Sequence, residues 1–164
     1  MSTTYPDITQ YIHKENIRAL NIDSKYPISN LFFSDSFVQS SDDEQLLIHI
    51  PFSTPVSIWS VSFDFISDET HPTCIKLFVN KPNITFIDVD DIKPADTFKI
   101  PEMDDSDPIP MHSEYKVKFC NFQKVDSLTV YIEDNNGADI TQISSIGFKG
   151  KALSKMDLKN LKKC

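Results

Sequence analysis

One stretch predicts a β-hairpin at the centre of the fold, and it constrains this chain more than any other feature. Apolar residues occupy every second position of Asp126–Glu133, namely Leu128, Val130 and Ile132. A period of two is typical of a β-strand with one buried face. The next residues, Asp134–Gly137, are turn formers, because Asn and Gly tolerate the positive φ of tight hairpin turns. The chain then returns through Ile140–Gly150, which completes the predicted hairpin.

The returning strand changes phase partway along its length. Ile143 falls in one phase, whereas Ile146 and Phe148 fall in the other. One extra residue in a strand turns the later side chains to the opposite face. The pattern therefore predicts a β-bulge near Ser144–Ser145.

Further alternating segments extend the β pattern over most of the chain. They are Glu44–Phe52, Val56–Ile66, Ile75–Val79, Thr97–Ile100 and Tyr115–Phe119. A short capped helix is expected at Asp7, because Gln10 follows three residues later. Seven or eight short strands with polar loops predict an all-β fold, an antiparallel β-sandwich with a short N-terminal helix.

Length and composition limit the class of protein. The chain has 164 residues, of which 40% are hydrophobic and 24% charged, as in one globular domain. No apolar run approaches the ~18 residues needed to cross a bilayer. The three cysteines lack a CxxC spacing, which argues against a zinc site or a thioredoxin-type redox pair. We expect a reducing compartment, cytoplasmic and nuclear.

Charge is distributed unevenly along the chain. The tail Lys151–Cys164 carries five Lys and one Asp, so its net charge is +4. Because the net charge of the whole chain is −8, residues 1–150 carry a net charge of −12. An acidic body repels nucleic acid and anionic membranes, so we expect neither as a partner. A protein partner with basic patches fits better, and an acid content that serves only solubility is an equally weighted alternative.

Five segments, in order and in register, resemble the PITH domain family. They are Asp42–Ile48, Ile75–Asn80, Phe122–Thr129, Asn136–Thr141 and Ile146–Gly150. The resemblance covers Ile8 to Gly150, nearly the whole chain. It implies a jelly-roll β-sandwich that resembles galactose-binding-like domains. It also implies a non-catalytic module that binds the regulatory particle of the 26S proteasome. The family also occurs fused to thioredoxin, and because this chain has no such Cys pair, we expect no redox activity.

The acidic motif Asp42, Asp43 and Glu44 is the first candidate for partner binding. It precedes a predicted strand and could present carboxylates to a partner. The alternative, which we favour, is that its carboxylates accept backbone N–H groups and fix the start of the strand.

The basic C-terminal tail is the second candidate for partner binding. Apolar residues alternate with Lys in a pattern that predicts a short amphipathic helix able to dock in a partner's groove; a frayed, solvated terminus is the equal alternative. The candidate residues are Lys151, Lys155, Met156, Leu158, Lys159, Leu161, Lys162, Lys163 and Cys164. We therefore divide the chain into a domain, 1–150, and a tail, 151–164.

Other sites have weaker support. Trp59 reads as a core aromatic, with carbohydrate stacking as the alternative. The four His residues are scattered, and the acidic runs 88–91 and 104–107 lack the Gly and Glu of an EF-hand loop, so we expect no metal and no cofactor. Without a catalytic constellation, we expect a monomeric binding protein and not an enzyme. A small-ligand or carbohydrate-binding sandwich is the alternative function.

Overall fold

Strands account for most of the regular structure. The computed structural model describes residues 5–33, 35–102 and 107–159. Within these residues the strands are β1 Arg18–Leu20, β2 Val38–Gln39, β3 Leu46–Ile66, β4 Pro72–Val79, β5 Asp96–Lys99, β6 Pro110–Lys116, β7 Val125–Asn135, β8 Gln142–Ile143 and β9 Ser145–Ala152. The α-helices are α1 Asn30–Phe33 and α2 Lys155–Lys159, and short 3-10 turns cover Thr9–Tyr11, Lys14–Asn16 and Phe119–Phe122.

The long strand β3 connects the two layers of the sandwich. In the first layer, the first half of β3 pairs antiparallel with β1 and β7. In the second layer, the second half of β3 pairs antiparallel with β6 and β9. The register to β7 shifts between Pro51 and Val56. Pro51 has no backbone N–H and cannot donate a hydrogen bond to a neighbouring strand, so it is compatible with such an irregularity. On the other side of β7, the sheet continues to β4 and β5. The two predicted strands Glu44–Phe52 and Val56–Ile66 are thus halves of one element.

The predicted hairpin between Asp126 and Gly150 is wrong. Strand β7 lies between β3 and β4, whereas β9 pairs with the second half of β3. The turn after β7 gives its backbone donors to the loop before β4: Asn136 N–H bonds to His71 O and Ala138 N–H to Glu69 O, both at 3.1 Å. After this turn the chain enters β8, which pairs with β2 and not with β7.

The phase change near Ser144 comes from a break between two strands and not from a bulge in one. Ile143 belongs to β8, which pairs with β2, and Ile146 belongs to β9. Between them, Ser144 N–H donates to Asp64 O at 2.7 Å. The apolar side chains on both sides of this break are nevertheless buried. Ile143 and Phe148 are 1% exposed, and Ile146 is 2% exposed.

The main core lies between the two layers and contains aromatic contacts from both. Phe148 of β9 packs edge-on against Phe52 of β3, and Phe63 packs against Phe98 of β5. A second, smaller cluster lies on the outer face of the first layer, where the irregular segment 80–95 folds over the sheet. It consists of Leu47, Phe78, Ile84, Val89 and Tyr131.

The chain ends differ from expectation in detail. The capped N-terminal helix is only a 3-10 turn, in which Asp7 Oδ1 accepts the N–H of Thr9 at 2.7 Å. Strand β9 continues to Ala152, and Leu153 N–H donates to Pro55 O at 2.9 Å. The division at residue 150 stays a prediction. Within the described ranges, no helix has the length and apolar character needed to cross a membrane.

Candidate functional site

The acidic motif forms the loop that leads into β3. Asp42 and Asp43 are exposed and Glu44 is half-buried. Asn21, whose φ is +66°, holds this loop from the end of β1. Its Nδ2 donates to Asp43 Oδ1 at 2.8 Å and to Gln45 O at 2.7 Å, and its Oδ1 accepts the N–H of Asp42 at 3.0 Å.

The hydrogen bonds of this loop give its members different roles. Asp43 Oδ1 also accepts the N–H of Gln45 at 3.0 Å, and the carbonyl of Glu44 accepts the hydroxyl of Thr141 at 2.6 Å. Asp43 therefore fixes the start of β3, as the structural alternative predicts. The carboxylate of Asp42 has one long contact, from Ser41 Oγ at 3.4 Å, and is the most available charge of the motif.

The tail forms helix α2, which begins with a capping box. Ser154 Oγ accepts the N–H of Asp157 at 3.1 Å, while Asp157 Oδ2 accepts the N–H of Ser154 at 2.9 Å. The hydrogen bond from the Ser154 backbone lowers the pKa of Asp157, and the Ser154 hydroxyl and Lys151 Nζ act in the same direction. These contacts order the first turn of the helix.

Helix α2 presents cations and an apolar side chain to solvent. Lys155 and Lys159 are exposed, Met156 is 73% exposed, and Leu158 is half-buried. Leu161, Lys162, Lys163 and Cys164, which complete the predicted surface, lie outside the described residues. The described part of the tail thus has the predicted mixture of positive charge and apolar surface.

The structure separates the acidic loop from the tail. The loop precedes Leu46, whereas the tail is anchored at Pro55. At about 3.3 Å per residue, these points lie up to about 30 Å apart along β3. The two candidate surfaces therefore adjoin opposite ends of the first half of β3, and one large partner could contact both.

Trp59 lies at the surface and not in the core. It is half-buried, its ring stacks on Tyr5 with 4.8 Å between centroids, and Phe119 meets it edge-on at 5.5 Å. The core interpretation relied on the position of Trp59 within an apolar strand, but the register between β3 and β9 shifts between Ile58 and Ser60, so the pairing is irregular at Trp59. Stacking by Tyr5 covers ring surface that a sugar would need.

Sequence reasoning missed a cluster of Asp64, His112 and Ser145. Asp64 Oδ1 accepts from His112 Nδ1 at 2.6 Å, and Asp64 Oδ2 accepts from the Ser145 hydroxyl. These residues lie on three strands that only the register brings together. In a catalytic triad the His lies between the Ser and the Asp. Here the carboxylate is central, so no imidazole is placed to take the proton of the hydroxyl.

Cys74 forms a second polar cluster that spacing did not indicate. It is a free thiol, 5% exposed, that donates to Glu133 Oε2 at 3.2 Å and accepts from Lys99 Nζ at 3.1 Å. Burial raises the pKa of this thiol, although Lys99 acts in the opposite direction. The thiol therefore stays protonated at neutral pH, which makes it a poor nucleophile.

The acidic run 88–91 has a structural role in its own loop. Asp88 Oδ2 accepts both the N–H of Thr85 at 2.9 Å and its hydroxyl at 3.1 Å. Asp104 and Asp105, of the other run, lie outside the described residues. Across the described ranges, no three His, Cys, Asp or Glu side chains are grouped so that they could hold a metal ion.

Comparison with known sequences connects the chain to one family. The model of the PITH domain matches residues 1–164. A PITH domain-containing protein of Drosophila pseudoobscura is 33% identical over 147 residues, which are 85% of this chain and 67% of that protein. PITH domain-containing protein 1 of Homo sapiens is 32% identical over 115 residues, 70% of this chain and 52% of its own length.

A relative whose name refers to thioredoxin also matches. Thioredoxin-like protein 1 of Schizosaccharomyces pombe is 32% identical over 148 residues, 85% of this chain and 49% of that protein. The chain thus spans about half to two thirds of the length of the relatives it matches.

Solved structures show the same fold at low identity. The CBM32-1 and CBM32-2 domains of Clostridium perfringens ZmpB, in complex with GalNAc, give a TM-score of 0.65 at 9% identity, over 93% of this chain and 38% of that one. CBM32-3 of a family 31 glycoside hydrolase from the same organism gives 0.59 at 11% identity, over 87% and 97%. The galactose-binding-like β-sandwich expected from the sequence is confirmed, and identities this low bear on the fold alone.

Proposed function

Because the chain belongs to the PITH domain family, we propose that it is a non-catalytic interaction module that binds the regulatory particle of the 26S proteasome. The observation that carries this proposal is the family match over residues 1–164, since the family name implies proteasome interaction. The relatives are named for their domain and not for a reaction.

We assign the main contact to helix α2 and the residues beside it. Lys155, Lys159 and the 73% exposed Met156 combine charge with apolar surface, and such a helix can bind in a groove with acidic edges. The capping box orders the first turn before binding, which reduces the entropy that docking costs.

We assign a second contact to Asp42 at the start of β3. Its carboxylate is exposed, and the neighbouring Asp43 and Asn21 hold its backbone in place. Contacts that adjoin opposite ends of the first half of β3 fit a large protein partner.

Two clusters support the non-catalytic part of the proposal. Asp64 lies between His112 and Ser145 in an order that does not activate the hydroxyl, and the Cys74 thiol is buried with a raised pKa. We further propose that the protein acts as a monomer in the cytoplasm and nucleus, without nucleic acid or membrane.

Carbohydrate binding has less support. The argument for a carbohydrate ligand is the structural resemblance to CBM32 domains. A resemblance at 9–11% sequence identity supports a shared fold and not a shared ligand. Trp59, the aromatic side chain considered for stacking, has Tyr5 against its ring. We therefore do not advance a carbohydrate ligand.

Direct binding to purified regulatory particle tests the proposal. The variant Lys155→Glu/Lys159→Glu reverses two exposed charges of α2, and Lys124→Glu, which reverses an exposed charge on the body, is its control. We expect the double variant to bind about tenfold more weakly than wild type, with the control unchanged. Absence of binding by the wild-type chain contradicts the function, whereas equal binding by all three contradicts the contact at α2.

A further inference from the structure

A cleft runs along the outer face of the first layer, between β1 and the segment 82–85. Two adjoining cavities of about 250 and 430 Å³ open there, and Arg18 and His49 line both. These two residues are direct cross-strand partners in the β1–β3 register, so their side chains stand side by side on the same face.

Arg18 is the only arginine in the chain. Its Nη2 donates to Pro82 O at 3.1 Å, which holds the guanidinium against the segment that closes the cleft. A guanidinium has five N–H donors, so this single bond leaves most of its capacity unused. Despite the excess of acidic residues, no ion pair among the described residues includes Arg18.

His49 forms the floor of the cleft beside Arg18. It is 7% exposed, and Nδ1 lies 3.5 Å from the hydroxyl of Thr129, which itself donates to Lys81 O at 3.3 Å. Because that hydroxyl donates elsewhere, Nδ1 is the donor of the pair. Burial lowers the pKa of His49, and the charge of Arg18 acts in the same direction, so the neutral imidazole is favoured and Arg18 supplies the positive charge of the cleft.

The two ends of the cleft differ in polarity. At one end the 40% exposed Leu20 supplies apolar surface, and the buried side chains of Leu47 and Ile84 line the cavity behind it. The other end is polar and includes Asn16 and the exposed Glu15. A ligand that fits both ends carries one negative charge next to an apolar group, and Glu15 disfavours a second negative charge.

We propose that this cleft binds a peptide carboxylate that adjoins an apolar side chain, such as a C-terminal leucine, with the carboxylate on Arg18 and the side chain on Leu20 and Ile84. The inference rests on the proposed function in that the ligand belongs to a protein partner. A planar guanidinium pairs well with a carboxylate, through two parallel hydrogen bonds. The assignment is independent of helix α2 and of the acidic loop.

NMR titration of the purified chain tests the site. N-Acetyl-leucine is the probe, and N-acetyl-leucinamide is the matched ligand without the charge. As the sole arginine, Arg18 gives a single guanidinium Nε–H signal, which reports on the cleft directly. We expect N-acetyl-leucine to shift this signal and the ring signals of His49, with a dissociation constant on the order of 1 mM, and the amide to bind at least about tenfold more weakly.

Variants and a second anion complete the design. Arg18→Gln keeps a donor for Pro82 O but removes the charge, and we expect it to abolish the His49 shifts, whereas Lys25→Gln leaves them unchanged. Equal shifts with acid and amide, or larger shifts with inorganic phosphate than with N-acetyl-leucine, would overturn the proposal. Because the titration uses no proteasome, its failure and the failure of proteasome binding are distinguished.

Discussion

Gly150 and Gly147 lie on the same strand, but the structure gives them different reasons to lack a side chain. A Cβ at Gly150 would lie 1.9 Å from the backbone oxygen of Ser57 on β3, whereas a Cβ at Gly147 would lie 2.6 Å from the side-chain oxygen of Ser62. A backbone carbonyl in a paired strand cannot move without breaking the pairing. The glycines of the segment Ile146–Gly150 therefore reflect the close approach of β9 to β3.

Gly150→Ala is expected to destabilise the fold much more than Gly147→Ala. We expect a loss of about 3 kcal/mol in the free energy of unfolding for Gly150→Ala, and of about 1 kcal/mol for Gly147→Ala, where the Ser62 hydroxyl can rotate away. Urea unfolding of both variants measures the difference. Equal losses would show that β9 does not approach β3 as described.

At the scale of elements, alternation predicted where strands occur but not which strands pair. The halves of β3 and the core face of β7 were visible as a period of two, because aliphatic residues that face the main core recur at every second position. The prediction of a single buried face is wrong for β7, since Thr129 and Tyr131 on its other face are 1% and 2% exposed. Pairing is decided by distant backbone groups, such as the bonds from residues 136 and 138 to the loop before β4. The alternation within one strand carries no information about its hydrogen-bond partners. The two strands that follow each other in the sequence were therefore predicted to pair as a hairpin.

Short elements were missed for a related reason. Strand β1 has three residues, too few for a period to be recognised, and its importance comes from the Arg18–His49 pairing. Of the candidate site, the exposed cations of α2 were predicted from composition. The separate roles of Asp42 and Asp43 were not, because they depend on Asn21, which lies 21 and 22 positions earlier in the chain.

Helix α2 is expected to depend on the ionisation of Asp157. The backbone bond from Ser154 lowers its pKa from 3.8, so the carboxylate form is favoured in the folded helix. The contribution is complete above about pH 5 and is lost as the pH falls through the lowered pKa. We expect the helical Cα chemical shifts of Lys155–Lys159 to decrease over that range.

Substitution separates this effect from general acid unfolding. In Asp157→Asn the helical shifts are expected to be smaller already at neutral pH and to lose their dependence on pH, whereas Asp139→Asn, at an exposed position elsewhere, keeps the wild-type profile. An Asp157→Asn helix as ordered as wild type would contradict the capping role.

At the scale of the whole molecule, the proposed binding function involves several charged surfaces on one fold. The acidic body, the cationic helix α2 and the Arg18 cleft are separate surfaces on one sandwich. A sandwich with paired layers gives them a rigid frame, and the described clusters of Ser, His and Cys lack a catalytic order. Such a molecule suits multipoint contact with a large assembly.

Affinity purification of the tagged chain from cell lysate with ATP present, followed by mass spectrometry, tests the central claim most directly. We expect regulatory-particle subunits in near-stoichiometric amounts with the wild-type chain, and strongly reduced amounts with Lys155→Glu/Lys159→Glu. The absence of these subunits from the wild-type sample, even at low salt, would contradict the assignment of this domain to the proteasome.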